Sequence, residues 1–187
     1  MQPGMRLLFT VLFLATLAKA QADLRNSVTF SGGYSRDVDA ICCQTDTAVS
    51  LGGTYGYRIW PFLQVEAGVT TALNPVGAFI GSNYNVRPSS RFVWVPFGVR
   101  GILPLHSDRI ELSVGAGGLY EKFSIAANPP GVAGRLGWGE HFGASAALSL
   151  DHGRHFWLGV SPRLFLANTG GPNDRWFVIT GDVSFRF

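Results

Sequence analysis

The sequence predicts an all-β fold: an eight-stranded antiparallel up-and-down transmembrane β-barrel, preceded by a cleavable signal peptide. Three observations predict it. From about residue 26 onward apolar and small polar residues alternate with period two, and helical periodicity is hard to find. The alternating segments run about ten to thirteen residues, whereas strands in soluble proteins average about five or six. Ten residues at roughly 3.3 Å each and a tilt near 45° rise about 23 Å, close to the lipid-facing band of a membrane barrel. Finally, short and longer connections alternate along the chain, as tight turns at one end and loops at the other require.

Met1 to Ala20 carries the three parts of a secretory signal. Arg6 supplies the positive start, and Leu7 to Leu14 is an apolar run too short to span a bilayer as a helix. Ala18-Lys19-Ala20 predicts cleavage before Gln21, with Ala20-Gln21-Ala22 as a second candidate. No lipobox cysteine follows. Residues 21–187 then form one barrel domain.

The first strand, Ser27–Arg36, sets Val28, Phe30 and Tyr34 against Thr29, Ser31, Gly33 and Ser35. Val49–Ile59 sets Leu51, Tyr55 and Tyr57 against Ser50, Thr54 and Arg58, and Leu63–Leu73 sets Val65, Ala67 and Val69 against Gln64, Glu66 and Thr70. Phe92–Leu103 opposes Val93, Val95, Phe97 and Val99 to Arg100. Ile110–Phe123 opposes Leu112, Val114 and Ala116 to Glu111, Ser113 and Gly115. Trp138–Leu150 opposes Phe142, Ala144 and Leu148 to His141, Gly143 and Ser145. Phe156–Leu166 opposes Leu158, Val160 and Leu164 to Gly159, Ser161 and Arg163, and Arg175–Phe187 opposes Phe177, Ile179, Val183 and Phe185 to Thr180, Asp182 and Arg186. Pro96 and Pro162 fall inside strands, where each deletes a ladder donor and predicts a bulge or a displaced boundary.

Segments 60–62, 104–109 and 151–154 are short; 37–48, 74–90, 124–137 and 167–174 are mostly longer and rich in Pro, Gly, Asn and Asp. That layout places both termini in the periplasm. It groups Tyr34, Trp94, Tyr120, Trp138 and Trp176 at an outer aromatic belt, and Tyr57, Trp60, Phe62, Phe156 and Phe187 at an inner one.

The polar stripe is mostly Gly, Ser and Thr, small enough for the narrow interior of eight strands. A secreted lipocalin-like barrel would put its apolar stripe inward and lysines and glutamates outside, but Lys122 is the only lysine after the signal. The apolar stripe is therefore read as lipid-facing. Arg58, Glu66, Arg100, Glu111, Arg163, Asp182 and Arg186 fall inside, where they are tolerable only as a paired, hydrogen-bonded network across the lumen. Such a network is either a polar plug that fixes register or a gate on a narrow ion path. The net charge is +3, and Arg6 and Lys19 leave with the signal. So balanced a chain without a basic run does not suit nucleic acid.

The chain ends Val183-Ser184-Phe185-Arg186-Phe187, an alternating strand closing on an aromatic residue. With the signal peptide, this resembles the small eight-stranded outer-membrane barrels, the class that includes the OmpA-type transmembrane domain. The resemblance covers Ser27–Phe187 as a pattern and is most specific at Phe185 and Phe187, the assembly signal. The usual signal also has Gly three residues before the first of these aromatics, whereas here Gly181 stands four before Phe185. The resemblance implies the outer membrane of a Gram-negative bacterium, outer-membrane lipid and the barrel assembly machinery as partners, a monomer, and no cofactor.

Enzymatic barrels set a further test. Asn168-Thr169-Gly170-Gly171-Pro172-Asn173 resembles a stretch of the lipid A deacylase barrels, which carry a His-x-Ser pair just before it. Here Arg163-Leu164-Phe165 occupies that place, so base and nucleophile are missing. Of the four histidines, His152 and His155 flank a turn beside Asp151 without a third metal ligand, His141 sits in a strand, and His106 in a connection. Glu140, next to His141 and on the opposite face, belongs above the membrane at the outer rim. Cys42 and Cys43 share the first long loop in an oxidising compartment. They can form a strained vicinal disulfide, bridge to another molecule, act as redox-active thiols, or bind metal with Asp39 or Asp46. The reading that results is a non-catalytic barrel with a structural or loop-mediated binding or adhesion role and no identified loop ligand. A narrow small-solute pore is the alternative, and a lipid-modifying enzyme ranks below both.

Overall fold

Eight antiparallel strands close on themselves in sequence order: β1 (Asn26–Asp37), β2 (Thr47–Trp60), β3 (Leu63–Val76), β4 (Ser89–Leu105), β5 (Ile110–Ala126), β6 (Val132–Ser149), β7 (Phe156–Asn168) and β8 (Arg175–Arg186). The computed structural model describes residues 24–38, 47–76, 89–105, 108–126, 132–168 and 175–187. The signal segment, Cys42, Cys43, His106 and the 169–174 connection lie outside them. Closure comes from β1 pairing with β8, from Ser27 opposite Arg186 to Asp37 opposite Trp176. It leaves no strand edge unpaired.

Asn26 and Phe187 exchange backbone hydrogen bonds, Asn26 N to Phe187 O at 2.9 Å and Phe187 N to Asn26 O at 3.0 Å. The C-terminal Phe therefore lies at the same end of the barrel as the start of β1 and the short turns after β2, β4 and β6. Two of those turns use left-handed residues, Asp108 with φ 62° and Arg154 with φ 60°. The turns lean on each other through an ion pair from Arg154 Nη1 to Asp108 Oδ2 at 3.0 Å.

Strands at the opposite end outrun the lengths that the alternation predicts. β6 begins at Val132 rather than Trp138, because β5 and β6 keep pairing past the belt, out to Ala126 opposite Val132. Once two strands are in register the ladder continues without help from lipid, and the small residues Ala133, Gly134 and Gly137 do not oppose it. Part of the predicted 124–137 loop is thus a protruding hairpin.

The prolines do not produce bulges, contrary to expectation. β3 and β4 pair at Ala67–Phe97 and again at Thr70–Trp94 in unchanged register, with the ladder interrupted around Pro96. β6 and β7 behave likewise, pairing at Gly143–Arg163 and Ala146–Val160 on either side of Pro162. Each proline faces the interrupted ladder with its missing N–H and remains paired on its other side, Pro96 with Leu119 and Pro162 with Ile179. The register shifts fall at the two ends of β2, between Thr47 and Val49 and between Arg58 and Trp60.

The wall is apolar outside. Phe30, Val114 and Trp138 are about two-thirds exposed, and Leu51, Val69, Val99, Leu112, Leu158 and Val183 are exposed with them. Trp60 stacks on Phe62, and Phe185 packs against both Phe156 and Phe187, forming aromatic patches on the rim near the termini. Tyr120 packs edge-on against Trp138 at the far rim. Trp94 and Trp176 do not belong to that outer belt: both are fully buried inside the barrel. Their positions alternate in step with Arg100 on β4 and with Asp182 on β8, so they share the inward face.

Candidate functional site

The inward side chains form three layers that fill the lumen. Nearest the termini, Glu111 on β5 receives two guanidinium groups from strands across the barrel. Arg186 on β8 donates Nη1 to Oε1 at 2.9 Å and Nη2 to Oε2 at 2.6 Å, and Arg58 on β2 donates Nη2 to both oxygens at 3.2 Å. The Arg186 guanidinium also lies 3.8 Å from the ring centroid of Trp157, a cation–π contact that shields one of its faces. Trp157 is anchored in turn by its indole N–H, which donates to the Arg154 carbonyl at 2.7 Å.

In the middle layer Arg100 on β4 grips Glu66 on β3 in a fork, Nε to Oε2 at 2.7 Å and Nη2 to Oε1 at 2.9 Å. Its remaining Nη1 donates to Ser113 at 2.8 Å and Ser145 at 3.1 Å, and those hydroxyls lie 2.6 Å apart. Among the described residues no cation comes within hydrogen-bond distance of Asp182; it accepts from the hydroxyls of Ser161 and Thr180. Arg163 is 7% exposed, and among the described residues its Nε finds no hydrogen-bond partner.

The outer layer is aromatic. Trp94, Trp176, Phe92 and Phe165 pack with centroid separations of 4.8 to 5.6 Å, joined by Leu119, Val178, Ala48 and Ala72. Phe123 stacks on Phe92 at 4.4 Å. The Trp94 indole N–H donates to Glu121 Oε2 at 2.7 Å, so the layer includes a fully buried carboxylate. His141 lies beneath it, with Nε2 3.3 Å from the Phe97 carbonyl oxygen and its ring edge-on to Phe165.

The seven charged residues that the alternation assigns to the interior all face the lumen, yet they do not form one continuous network. Arg58, Glu111 and Arg186 make one group and Glu66 and Arg100 another, while Asp182 is held by hydroxyls and Arg163 stands beside them. Between the inner and middle groups remains a cavity of about 70 Å³, lined by residues that include Glu66, Arg100, Ser145, Arg163 and Asp182. The sequence expectation of an outer belt at Trp94 and Trp176 does not include this aromatic layer. Its signal was present in Phe92, Trp94, Leu119, Phe165 and Trp176, every one at an inward position of the alternation.

At the inner rim His155 lies with Nδ1 2.9 Å from the Arg186 carbonyl oxygen and stacks on Phe185, while Asp151 accepts from the backbone N–H groups of His155 and Phe156. The Phe156 N–H foremost, then that of His155, holds the Asp151 carboxyl below its ordinary range. His152 is exposed in the same turn. Glu140 is exposed on the outer wall, two residues from the rim residue Trp138. Among the described residues no group of three or more His, Cys, Asp or Glu side chains comes together to hold a metal.

A closed eight-stranded wall, apolar outside and filled within, defines the class: the fold is that of the small outer-membrane β-barrels. No known family profile and no curated protein matches the sequence. Solved structures do match. Neisserial surface protein A superposes with a TM-score of 0.65 at 14% identity, covering 87% of this chain and 97% of that one. The outer membrane protein OprG of Pseudomonas aeruginosa gives 0.61 at 12% identity, over 88% and 97%. Ail, the attachment invasion locus protein of Yersinia pestis, gives 0.57 at 12% identity, over 88% and 99%. At these identities the likeness is one of fold.

Proposed function

We propose that this chain is a monomeric outer-membrane barrel of a Gram-negative cell, both termini periplasmic, that works as a structural support or as a platform for binding through its outer loops. One observation carries the reading: the lumen is occupied along its length. An aromatic layer with no solvent exposure at Trp94, Trp176 or Phe165 lies outward of two ion-paired layers. An ion or solute crossing the barrel would have to displace both kinds of packing, which disfavours the pore reading. The wall faces lipid, so the outer hairpins and connections are left as the surface able to meet a partner. The attachment protein of Yersinia pestis, whose fold this chain shares, has been crystallised with the heparin analogue sucrose octasulfate, an example of a small barrel holding a ligand. No His-x-Ser pair precedes Asn168, which counts against lipid deacylation.

Two measurements on the full chain test this. The outer-membrane fraction, run unboiled and boiled in SDS, should show a heat-dependent mobility shift, since a closed barrel resists SDS until heated. The purified protein in planar bilayers should show no channel steps above the bare membrane. Reproducible unit conductance from the folded form would refute the sealed-lumen reading in favour of a pore. Recovery only in the soluble periplasmic fraction would refute the membrane assignment.

A further inference from the structure

We propose that a groove on the lipid-facing wall binds one acyl chain of an anionic, phosphate-bearing lipid of the outer leaflet, whose headgroup is held at Arg36 and Arg175. The proposal rests on the membrane reading above and gives that wall a preferred lipid.

The groove has a volume of about 660 Å³, within the ~300–1,000 Å³ of small-molecule sites. It follows two cross-strand rows that the register sets side by side. Gly101 pairs with Val114 and Val114 with Ala144, and Ala144 stands opposite Pro162 in the interrupted ladder. Two residues nearer the outer rim, Val99, Ala116, Phe142, Leu164 and Phe177 follow one another in the same way. By parity both rows face lipid, with Val99, Val114, Phe142 and Phe177 exposed. Gly101, Ala116, Ala144 and Pro162 are short beside Phe142, Leu164 and Phe177, so the wall dips between them. Packing does not demand the glycine: a Cβ at Gly101 would meet only the Val114 carbonyl oxygen, at an ordinary 3.8 Å. The space is left open towards the lipid.

Length and slope fit a chain. From Val99 to Phe177 is four strand spacings, about 19 Å at ~4.8 Å each. Val99 lies in the inner half of β4, whereas Phe177 lies two residues from the outer end of β8. With strands tilted by about 45°, the row climbs ~13 Å towards the outer rim. One leaflet is half of the ~30 Å hydrocarbon core, so a chain entering at the outer rim spans most of the groove.

The upper end is basic. The outer row continues past Phe177 to Arg36 on β1, and Arg175 stands two residues beyond Phe177 on β8. Both arginines are exposed on the outward face. As diagonal neighbours they stand about 7–8 Å apart, within reach of one phosphate held between the two guanidinium groups. Among the described residues Arg36 meets no carboxylate. Glu140 shares a cross-strand row with Arg175 but lies two strands away, so this end keeps a net positive charge. An apolar trough that ends at two arginines matches an amphiphile with an anionic head. A neutral lipid would leave the arginines unused, and a soluble phosphate would leave the trough empty.

The test uses the full-length protein refolded in detergent and judged folded by its unboiled gel shift. Native mass spectrometry should show one phosphatidylglycerol retained per barrel, in preference to phosphatidylcholine with the same chains. Arg36→Gln should weaken that retention about tenfold, as the loss of a charge-assisted contact does. Gly101→Leu and Ala144→Leu fill the groove from the lipid side and should weaken it as far. Gly53→Leu adds bulk at an open outward glycine of β2 and should leave it unchanged. Equal retention of the two lipids, retention that survives both filled grooves, or full displacement by inorganic phosphate would overturn the proposal. So would a lipid-free dimer, which would put a second copy in the groove. If one filled variant does not fold, the other carries the test. A barrel that keeps its gel shift yet holds no lipid refutes this site alone, whereas loss of the shift in the unmodified chain refutes the membrane reading beneath it.

Discussion

Glu111 joins three strands across the lumen, and Glu111→Gln tests how much that junction contributes. The carboxylate receives Arg186 through bonds of 2.9 and 2.6 Å and Arg58 through contacts of 3.2 Å, at sites where the side chains of Glu111 and Arg58 are 5% exposed and that of Arg186 12%. Glutamine keeps the shape but replaces a charged double acceptor with one neutral oxygen and an NH₂ group that faces a guanidinium. Two buried cations then lose the carboxylate that they share. Removing one partner of a buried ion pair costs about 3–5 kcal/mol. Trp157 still covers one face of Arg186, so the lower end applies, about 3 kcal/mol, which is more than a hundredfold in the folding equilibrium at ~1.4 kcal/mol per tenfold. Urea titration in detergent micelles, reading the SDS-resistant species on unboiled gels, measures it. Adding Arg58→Met removes one of the stranded cations and should return at least ~1 kcal/mol, a coupling of the size that contacting residues show. A Gln variant within ~0.5 kcal/mol of the unmodified protein, or no recovery in the double variant, would refute this account of the inner layer.

The other predictions concern packing, the aromatic layer and the turn. Gly98 and Gly117 face each other across β4 and β5, and a Cβ at Gly117 would lie 2.0 Å from the Phe97 carbonyl oxygen and 2.5 Å from the Gly98 Cα. Those are backbone atoms that cannot swing aside, so Gly117→Ala should cost ~3 kcal/mol or more and show as a loss of SDS-resistant barrel. Gly118→Ala, whose added Cβ meets the Phe97 ring rather than backbone, should cost clearly less in the same titration. Trp94→Phe keeps the ring packing and deletes the donor to Glu121, a loss of ~1–3 kcal/mol for a buried acceptor, whereas Trp94→Ala should lose ~3–5 kcal/mol; bilayers containing either should stay silent while the ionic layers stand. Asp151 has its carboxyl lowered in the folded state, so its contribution is complete above the ordinary carboxylate pKa and is lost as pH falls through the lowered value. Asp151→Asn should flatten that acid dependence, and a carboxyl chemical-shift titration of Asp151 that midpoints at the unfolded value would contradict the capping role.

The wall of this barrel was legible in the sequence because membrane strands are long and their two faces differ in chemistry. Val28, Phe30 and Tyr34 against Thr29, Ser31 and Ser35 fix which side of β1 is wet, and the same contrast repeats around the barrel. The same alternation turns Arg58, Glu66, Arg100, Glu111, Arg163, Asp182 and Arg186 inward. It gives no information on which partner each finds: Glu66 and Arg100 meet between the neighbouring strands β3 and β4, whereas Glu111 reaches across the lumen to Arg58, 53 residues away, and to Arg186, 75 away. Trp94 and Trp176 depart from the predicted outer belt for a different reason. Their residue type suits a lipid interface, whereas their parity places them inside, and parity decides because a strand cannot turn one side chain through its own pleat. Pro96 and Pro162 misled because the interruption each causes stays within a single ladder and the other ladder keeps the strand in line.

The two fillings of the lumen answer different physical needs. Aromatic packing in the outer half excludes water and tolerates small shifts, since a ring can slide over another ring at little cost. The ionic layers have no such tolerance. Glu111 meets both Arg58 and Arg186 at one register, and a slip of one residue would send that strand's inward charge into the lipid. An arginine at the bilayer midplane costs about 2–4 kcal/mol, so misregistered barrels carrying Arg100 or Arg163 outward are penalised by the membrane itself. The same charges that add little to stability when correctly paired thus discriminate against the nearest wrong structures. That is reason enough for a narrow barrel to carry seven of them.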